Sequence, residues 1–333
     1  MLYMDHKNKC LKYKITYSKL KNENIIVGGN KKMKNKKNNK KDVKLMDNLM
    51  NIEGFQSVIV SKDDNIIFQY GDITYNKEYL ASCRKSILSI LYGMYNINID
   101  KTLQELNVDD KIKLSETEKS ATIKNLLSAK SGIYHPASNG GDDKDKPERH
   151  SKKPGECFVY NNWDFNVLGT IFEQETGLDV YDALNELGQK IDFEDYDLEF
   201  NKKKYKDNIN ENTKNSLSIH PPYHMYLSAR DMLKIGKLMI NKGMYNQKQI
   251  IPKKWIEEIT HLHTSKSGTR KFGYGYLWWV FNDDDNEQLK GAYFASGDKG
   301  QSIVIVPKLN LVFVTKNYVR FIFLLKKILS VYS

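Results

Sequence analysis

The sequence predicts an α/β (α+β) fold: an antiparallel five-stranded sheet built from both chain ends, flanked by helices and joined to an all-helical lobe. Three observations carry this expectation. Residues 55–61 and 65–70 are β-rich runs separated by Lys62-Asp63-Asp64, which reads as a hairpin. Residues 80–260 repeat apolar side chains mostly at helical spacing. Residues 274–281, 302–306 and 311–315 then return to aromatic and β-branched composition, with turns at 283–286 and 307–310. Sequential hairpins favour antiparallel pairing, and the simplest closure puts both ends into one sheet.

The 333 residues, 40% hydrophobic and 28% charged, suffice for one large or two ordinary domains. The net charge of +11 suggests nucleic acid until it is located: residues 1–50 hold 14 lysines against 4 acidic groups, or +10. The basic balance thus belongs to a tail, which cannot bury enough apolar surface to offset its ordering entropy. Residues 1–50 are expected to be a disordered basic tail, residues 51–320 the folded domain, and residues 321–333 a packing helix. No nucleic-acid partner is expected.

Cys10, Cys83 and Cys157 make neither a disulfide framework nor a zinc spacing. No apolar core of signal-peptide length opens the chain and no run reaches 18 apolar residues, so no transmembrane segment is expected and the compartment stays open.

In chain order, Ser82 opens an apolar helix through Ile87, Leu88, Ile90, Leu91 and Met94. Residues 101–113 read as a short helix and a connection. Ser115 with Glu118 is a capping-box pattern, and residues 122–129 continue helically to Gly132. Residues 133–157 are too long for a plain connector. Residues 163–175 are amphipathic and stop at Gly177, and residues 180–187 make another helix. Residues 202–214 read as a polar surface loop. Ser228 caps a helix stopped by Gly243, and Pro252 starts one more.

Ser82-Cys83-Arg84-Lys85 is the first chemical motif. Three positions on a helix is one turn, so the Lys85 amine can reach the Ser82 hydroxyl. A serine needs a neighbouring base to become a nucleophile, and a lysine is that base only where its pKa is lowered. The blander account is an N-capping serine followed by a solvated lysine, and the same spacing recurs at Ser18 and Lys21 with no helix behind it. Tyr160-Asn161-Asn162 is the second motif. A tyrosine and an asparagine two apart can supply a proton carrier and a substrate-orienting amide, or Asn162 can simply cap the following helix.

The stretches 80–86, 125–132 (Asn-Leu-Leu-Ser-Ala-Lys-Ser-Gly) and 160–166, with 228–236 and 274–279, occur in an order and spacing that resemble the β-lactamase-related serine hydrolases. The likeness is to the branch of class C β-lactamases and their esterase and penicillin-binding relatives, and covers roughly residues 52–318. It implies a β-lactamase/transpeptidase-like fold with a cleft between sheet and helical lobe. It also implies Ser82 as acylated nucleophile with half of the oxyanion hole on its N–H, Lys85 as base partner, Tyr160 as proton relay and Asn162 as orienting amide. The third family motif, usually Lys-Thr-Gly or His-x-Gly, is matched to residues 296–301. There Gly300 allows close backbone approach and the Gln301 N–H is the other oxyanion donor. Asp298 stands where a cation is usual, which puts β-lactam and D-alanyl peptide recognition in doubt.

The expected partner is thus a small ester, amide or peptide substrate, with no metal and no cofactor. His135, His220, His224, His261 and His263 are scattered, and Asp283-Asp284-Asp285 reads as a solvated turn, lacking the other spaced ligands of a calcium loop.

Overall fold

The computed structural model describes residues 56–140, 146–212, 216–265, 271–282, 286–318 and 320–332. The basic tail, the start of the fold near Gly54 and the acidic turn at 283–285 lie outside the described residues.

Strands β1 (Ser57–Lys62) and β2 (Asn65–Gly71) form the expected hairpin. Its two turn residues, Asp63 and Asp64, both take positive φ (49° and 63°), the twist that joins adjacent strands through a two-residue loop. The helical middle comprises α1 (Cys83–Met94), α2 (Glu116–Lys119), α3 (Ile123–Leu127), α4 (Asn162–Thr176), α5 (Val180–Lys190), α6 (Leu198–Asn212) and α7 (Ala229–Ile240). A small ribbon, β3 (Met244–Tyr245) with β4 (Lys248–Gln249), precedes α8 (Lys253–Ile259). The chain finishes with β5 (Gly273–Tyr274), β6 (Trp279–Val280), β7 (Tyr293–Gly297), β8 (Gln301–Val306), β9 (Leu311–Lys316) and α9 (Phe321–Tyr332).

The main sheet is antiparallel throughout, in the order β2-β1-β9-β8-β7-β6-β5. Strand β1 lies on β9 with Ser57 opposite Lys316, so the two ends of the domain close one sheet as expected. Five longer strands form its body, but their identity differs in one place. Residues 274–281 do not make a single strand, because the backbone reverses at Leu277 (φ 63°) and leaves two-residue pieces at the edge. The fifth long strand is β7, a run too short to stand out from the glycines and charges around it.

Alternation along the strands sorts the core onto two faces. Ile303, Ile305, Val312 and Val314 face the helical middle. Val304, Val306 and Phe313 face the other way, against Leu324, Leu325 and Ile328 of α9. Helix α7 crosses the first face closely: a Cβ on Gly236 would sit 2.4 Å from Val312 Cγ1.

Two local expectations are corrected. Residues 101–113 form turns, not a helix, pinned by an antiparallel bridge between Thr102 and Thr122 and by Leu103 N–H donating to Ala121 O. Residues 202–212, read as a polar loop, belong to α6. The Asp197 carboxylate accepts the Phe200 N–H at its start, buried Asn201 donates to Tyr226 O and accepts the Tyr226 N–H, and Tyr205 packs on Tyr181 at 5.2 Å. One polar residue buried by tertiary contacts thus outweighs the polar composition.

Candidate active site

Ser82 directly precedes α1 in helical geometry (φ −73°, ψ −9°), and its side chain makes no capping hydrogen bond. The capping account therefore fails, and the hydroxyl is not spent on the helix. Ala81 before it takes positive φ (49°), a conformation that costs an L-residue free energy and persists only where neighbours hold it. Leu80 N–H donates to Met225 O, and three successive amides from Cys83 to Lys85 donate to the carbonyls of Leu80, Ala81 and Ser82. Gly297 at the end of β7 presses on this turn from the sheet side. A Cβ there would lie 2.4 Å from Leu80 O and 3.1 Å from Ser82 N.

Lys85 reaches back one turn, as its spacing predicts. It is 2% exposed, and Nζ donates to Ser82 Oγ at 3.1 Å, to Tyr160 OH at 2.7 Å and to Asn162 Oδ1 at 2.7 Å. The amine lies over the rings of Tyr160 and Phe165, at 4.2 and 4.3 Å from their centroids. Burial pushes the Tyr160 phenol up to about 12, opposed by its hydrogen bond to Ser82 and by the Arg84 charge. Tyr160 is further fixed by Trp279, stacked on it at 5.7 Å and 17°.

The cap of α4 is Asn161 rather than Asn162: Asn161 Oδ1 accepts the Trp163 N–H, while its amide donates to Ile133 O and Asp164 Oδ1. Ser131 Oγ also donates to Asp164, so the 125–132 stretch holds the turn that carries Tyr160 and Asn162. With capping left to its neighbour, Asn162 turns its Oδ1 to Lys85 and donates from Nδ2 to Gly140 O at 2.9 Å.

The third stretch is placed differently. Gly297, not Gly300, makes the close approach to Ser82. The Gly300 carbonyl accepts from Thr315 Oγ1, and Gln301 pairs with Gly297 across the β7–β8 turn. The Gln301 carbonyl accepts from Cys83 Sγ at the start of α1, and its side-chain amide donates to Asn317 just past β9. Asp298 is exposed and accepts the Lys299 N–H at 2.8 Å; it forms no ion pair with Lys85. Sequence reasoning missed Gly297 and the seat that Trp279 makes for Tyr160. The usable signal was a glycine ending the aromatic run Tyr293-Phe294-Ala295-Ser296.

Among the described residues, no three His, Cys, Asp or Glu side chains gather as metal ligands would, and no helix is long and apolar enough to cross a membrane. His261 and His263 lie 5.1 Å apart, with His263 stacked flat on Tyr276.

Residues 57–315 match the family described as Beta-lactamase. An uncharacterised protein of Alkalihalophilus pseudofirmus is 26% identical over 172 residues, 47% of this chain and 51% of that protein, so the match spans about half the relative's length. A Bacillus anthracis protein assigned as a 6-aminohexanoate-dimer hydrolase superposes with TM-score 0.61 at 18% identity, covering 85% of this chain and 80% of that one. A class C β-lactamase gives 0.57 at 17%, covering 87% and 95%. EstCE1, a hydrolase with promiscuous acyltransferase activity, gives 0.57 at 14%, covering 84% and 92%. These structures share the fold with this chain.

Proposed function

Since the chain belongs to the beta-lactamase family, we propose that it is a serine hydrolase that cleaves a small ester or amide through an acyl-enzyme on Ser82. The observation that carries this reading is the convergence of Ser82 Oγ, Tyr160 OH and Asn162 Oδ1 on the single buried amine of Lys85. As the neutral amine, Lys85 takes the proton of Ser82 while Oγ bonds to the substrate carbonyl carbon. The carbonyl oxygen becomes an oxyanion, met by the Ser82 N–H at the start of α1 and by the amide after Gly297, that of Asp298. We prefer Asp298 N–H to Gln301 N–H because Gly297 is the residue pressed against Ser82. Collapse of the intermediate breaks the bond to the leaving group, which receives its proton through Tyr160 from Lys85. Water then attacks the acyl carbon, gives its proton back along the same path, and frees Ser82.

Intact-mass spectrometry after a fluorophosphonate tests the reading. The wild type gains one adduct, Ser82→Ala gains none, and Lys85→Met labels about 10²–10⁴-fold more slowly. No adduct, together with no hydrolysis of nitrophenyl esters, would sink the proposal in favour of a degenerate relative that binds without turnover. Labelling by a fluorescent penicillin with slow release would instead select a D-alanyl carboxypeptidase or β-lactamase. That reading is disfavoured by the strand end against Ser82, where Ala295-Ser296-Gly297 brings no cation and Asp298 follows.

A further inference from the structure

Arg84, like Cys83, is left unused by the proposed chemistry, and its surroundings are unusual for an arginine. It is 1% exposed. Nη2 makes a long hydrogen bond to Asn166 Oδ1 (3.4 Å), and the guanidinium lies 4.6 Å from the ring centroid of Tyr223. Nε and Nη1 have no partner, and no carboxylate among the described residues pairs with the charge. A guanidinium does not shed its proton to escape burial, so this is a permanent interior charge. Leaving such a charge uncompensated is costly, and apolar replacements of similar volume are often neutral or stabilising.

The described groups around it carry no countercharge, although the hydroxyls of Tyr79 and Tyr223 interact with the guanidinium. Tyr79 precedes α1, Lys85 is next on the helix, Tyr160 and Asn166 come from the second motif and α4, Tyr181 from α5, and Tyr223 with His224 from the segment before α7. Burial raises the phenols of Tyr160, Tyr181 and Tyr223 further above neutrality. Burial first, and Arg84 second, drive His224 down to about 4, so its imidazole is neutral in the working range. From the sheet side, β7 brings no cation to Ser82, Lys299 is exposed, and Lys316 donates to Leu227 O. Tyr160 links the two cations: its hydroxyl accepts from Lys85 at 2.7 Å and its phenol feels the Arg84 charge. Like charges sharing such a low-dielectric interior favour loss of the proton that can leave, the one on Lys85.

We propose that Arg84 is a positioning residue of the Ser82 site, a fixed buried cation that keeps Lys85 as the neutral amine able to take the serine proton. The inference rests on the acyl-transfer reading above, but its main test does not require turnover. In full-length protein carrying ¹³Cε-lysine, the Lys85 resonance, identified by its loss in Lys85→Met, is titrated by NMR in the wild type, Arg84→Gln and Arg84→Lys. The midpoint rises by about one pH unit or more in Arg84→Gln and stays near wild type in Arg84→Lys. Fluorophosphonate labelling follows it: Arg84→Gln is about tenfold slower at pH 7 and recovers about one pH unit higher. An unmoved Lys85 midpoint overturns the proposal, as does an equal, pH-independent loss of labelling in both variants. Failure of the wild type to label, with the midpoint shifted as stated, strikes the acyl-transfer reading and leaves the role of Arg84 standing.

Discussion

At Gly297 the backbone needs no unusual conformation, since its φ is −128°. What it needs is the absence of a side chain. A methyl group would sit 2.4 Å from Leu80 O, closer than real Cβ atoms come, and 3.0 Å from Ala81 Cβ, a tight contact. The neighbour that must yield is backbone, in the strained turn that aims Ser82. Gly297→Ala is therefore expected to slow fluorophosphonate labelling at least about tenfold and to lower stability by about 1–3 kcal/mol, as overpacking does. Ser296→Ala, one residue earlier, serves as the control. Labelling of Gly297→Ala at the wild-type rate would show that β7 does not support the nucleophile. The same scale explains why Asn161 and Asn162 differ in use. They are adjacent and chemically identical, yet one is consumed by the helix start and the other is released to Lys85.

Helix α4 carries a titration of its own. Burial, with a smaller contribution from Asp179, raises the Glu173 carboxyl to about 7, against the pull of the Val180 N–H. Its folded pKa thus exceeds the unfolded value of 4.5. Between those values the folded chain binds the proton that the unfolded chain has lost, so this group lowers stability as pH rises from about 4.5 to about 7. Glu173→Gln removes the penalty and should raise stability at pH 8 by about 1 kcal/mol, after discounting for partial exposure, with little change at pH 4.5. Thermal melts of both proteins at the two pH values check this. Equal melting-temperature differences at both would contradict it. Most helices were legible because their starts are local: the capping box of Ser115 with Glu118 and the Ser228 cap both form as their spacing implies. Helix α6 was not legible, because its amphipathic side is defined by Asn201 meeting Tyr226, 25 positions along the chain.

For the whole molecule, the lysine-rich first 50 residues account for +10 of the +11 net charge, while the site is assembled from residues 80–85, 131–140, 160–166 and 279–297. We expect removal of residues 1–45 to leave the fluorophosphonate labelling rate and the melting temperature unchanged. A large loss of either would show that the tail supports the domain. The sheet that backs the site needs both ends of the remaining chain, because β1 pairs with β9 across some 250 residues and α9 covers the face opposite α7.

The sequence by itself determined the fold class, most of the helices, the first hairpin and the pairing of Ser82 with Lys85. Those follow from local period, from caps and from a one-turn helical spacing, all of which act within a few residues. Tertiary structure alone decided which glycine approaches Ser82, that Asn161 and not Asn162 caps α4, and that Arg84 is buried with no counter-ion among the described residues. Each of those depends on where a distant segment passes: β7 for Ser82, the carbonyl of Ile133 for Asn161, and Asn166 with Tyr223 for Arg84. Such contacts are set by packing across the cleft and leave no periodic trace along the chain.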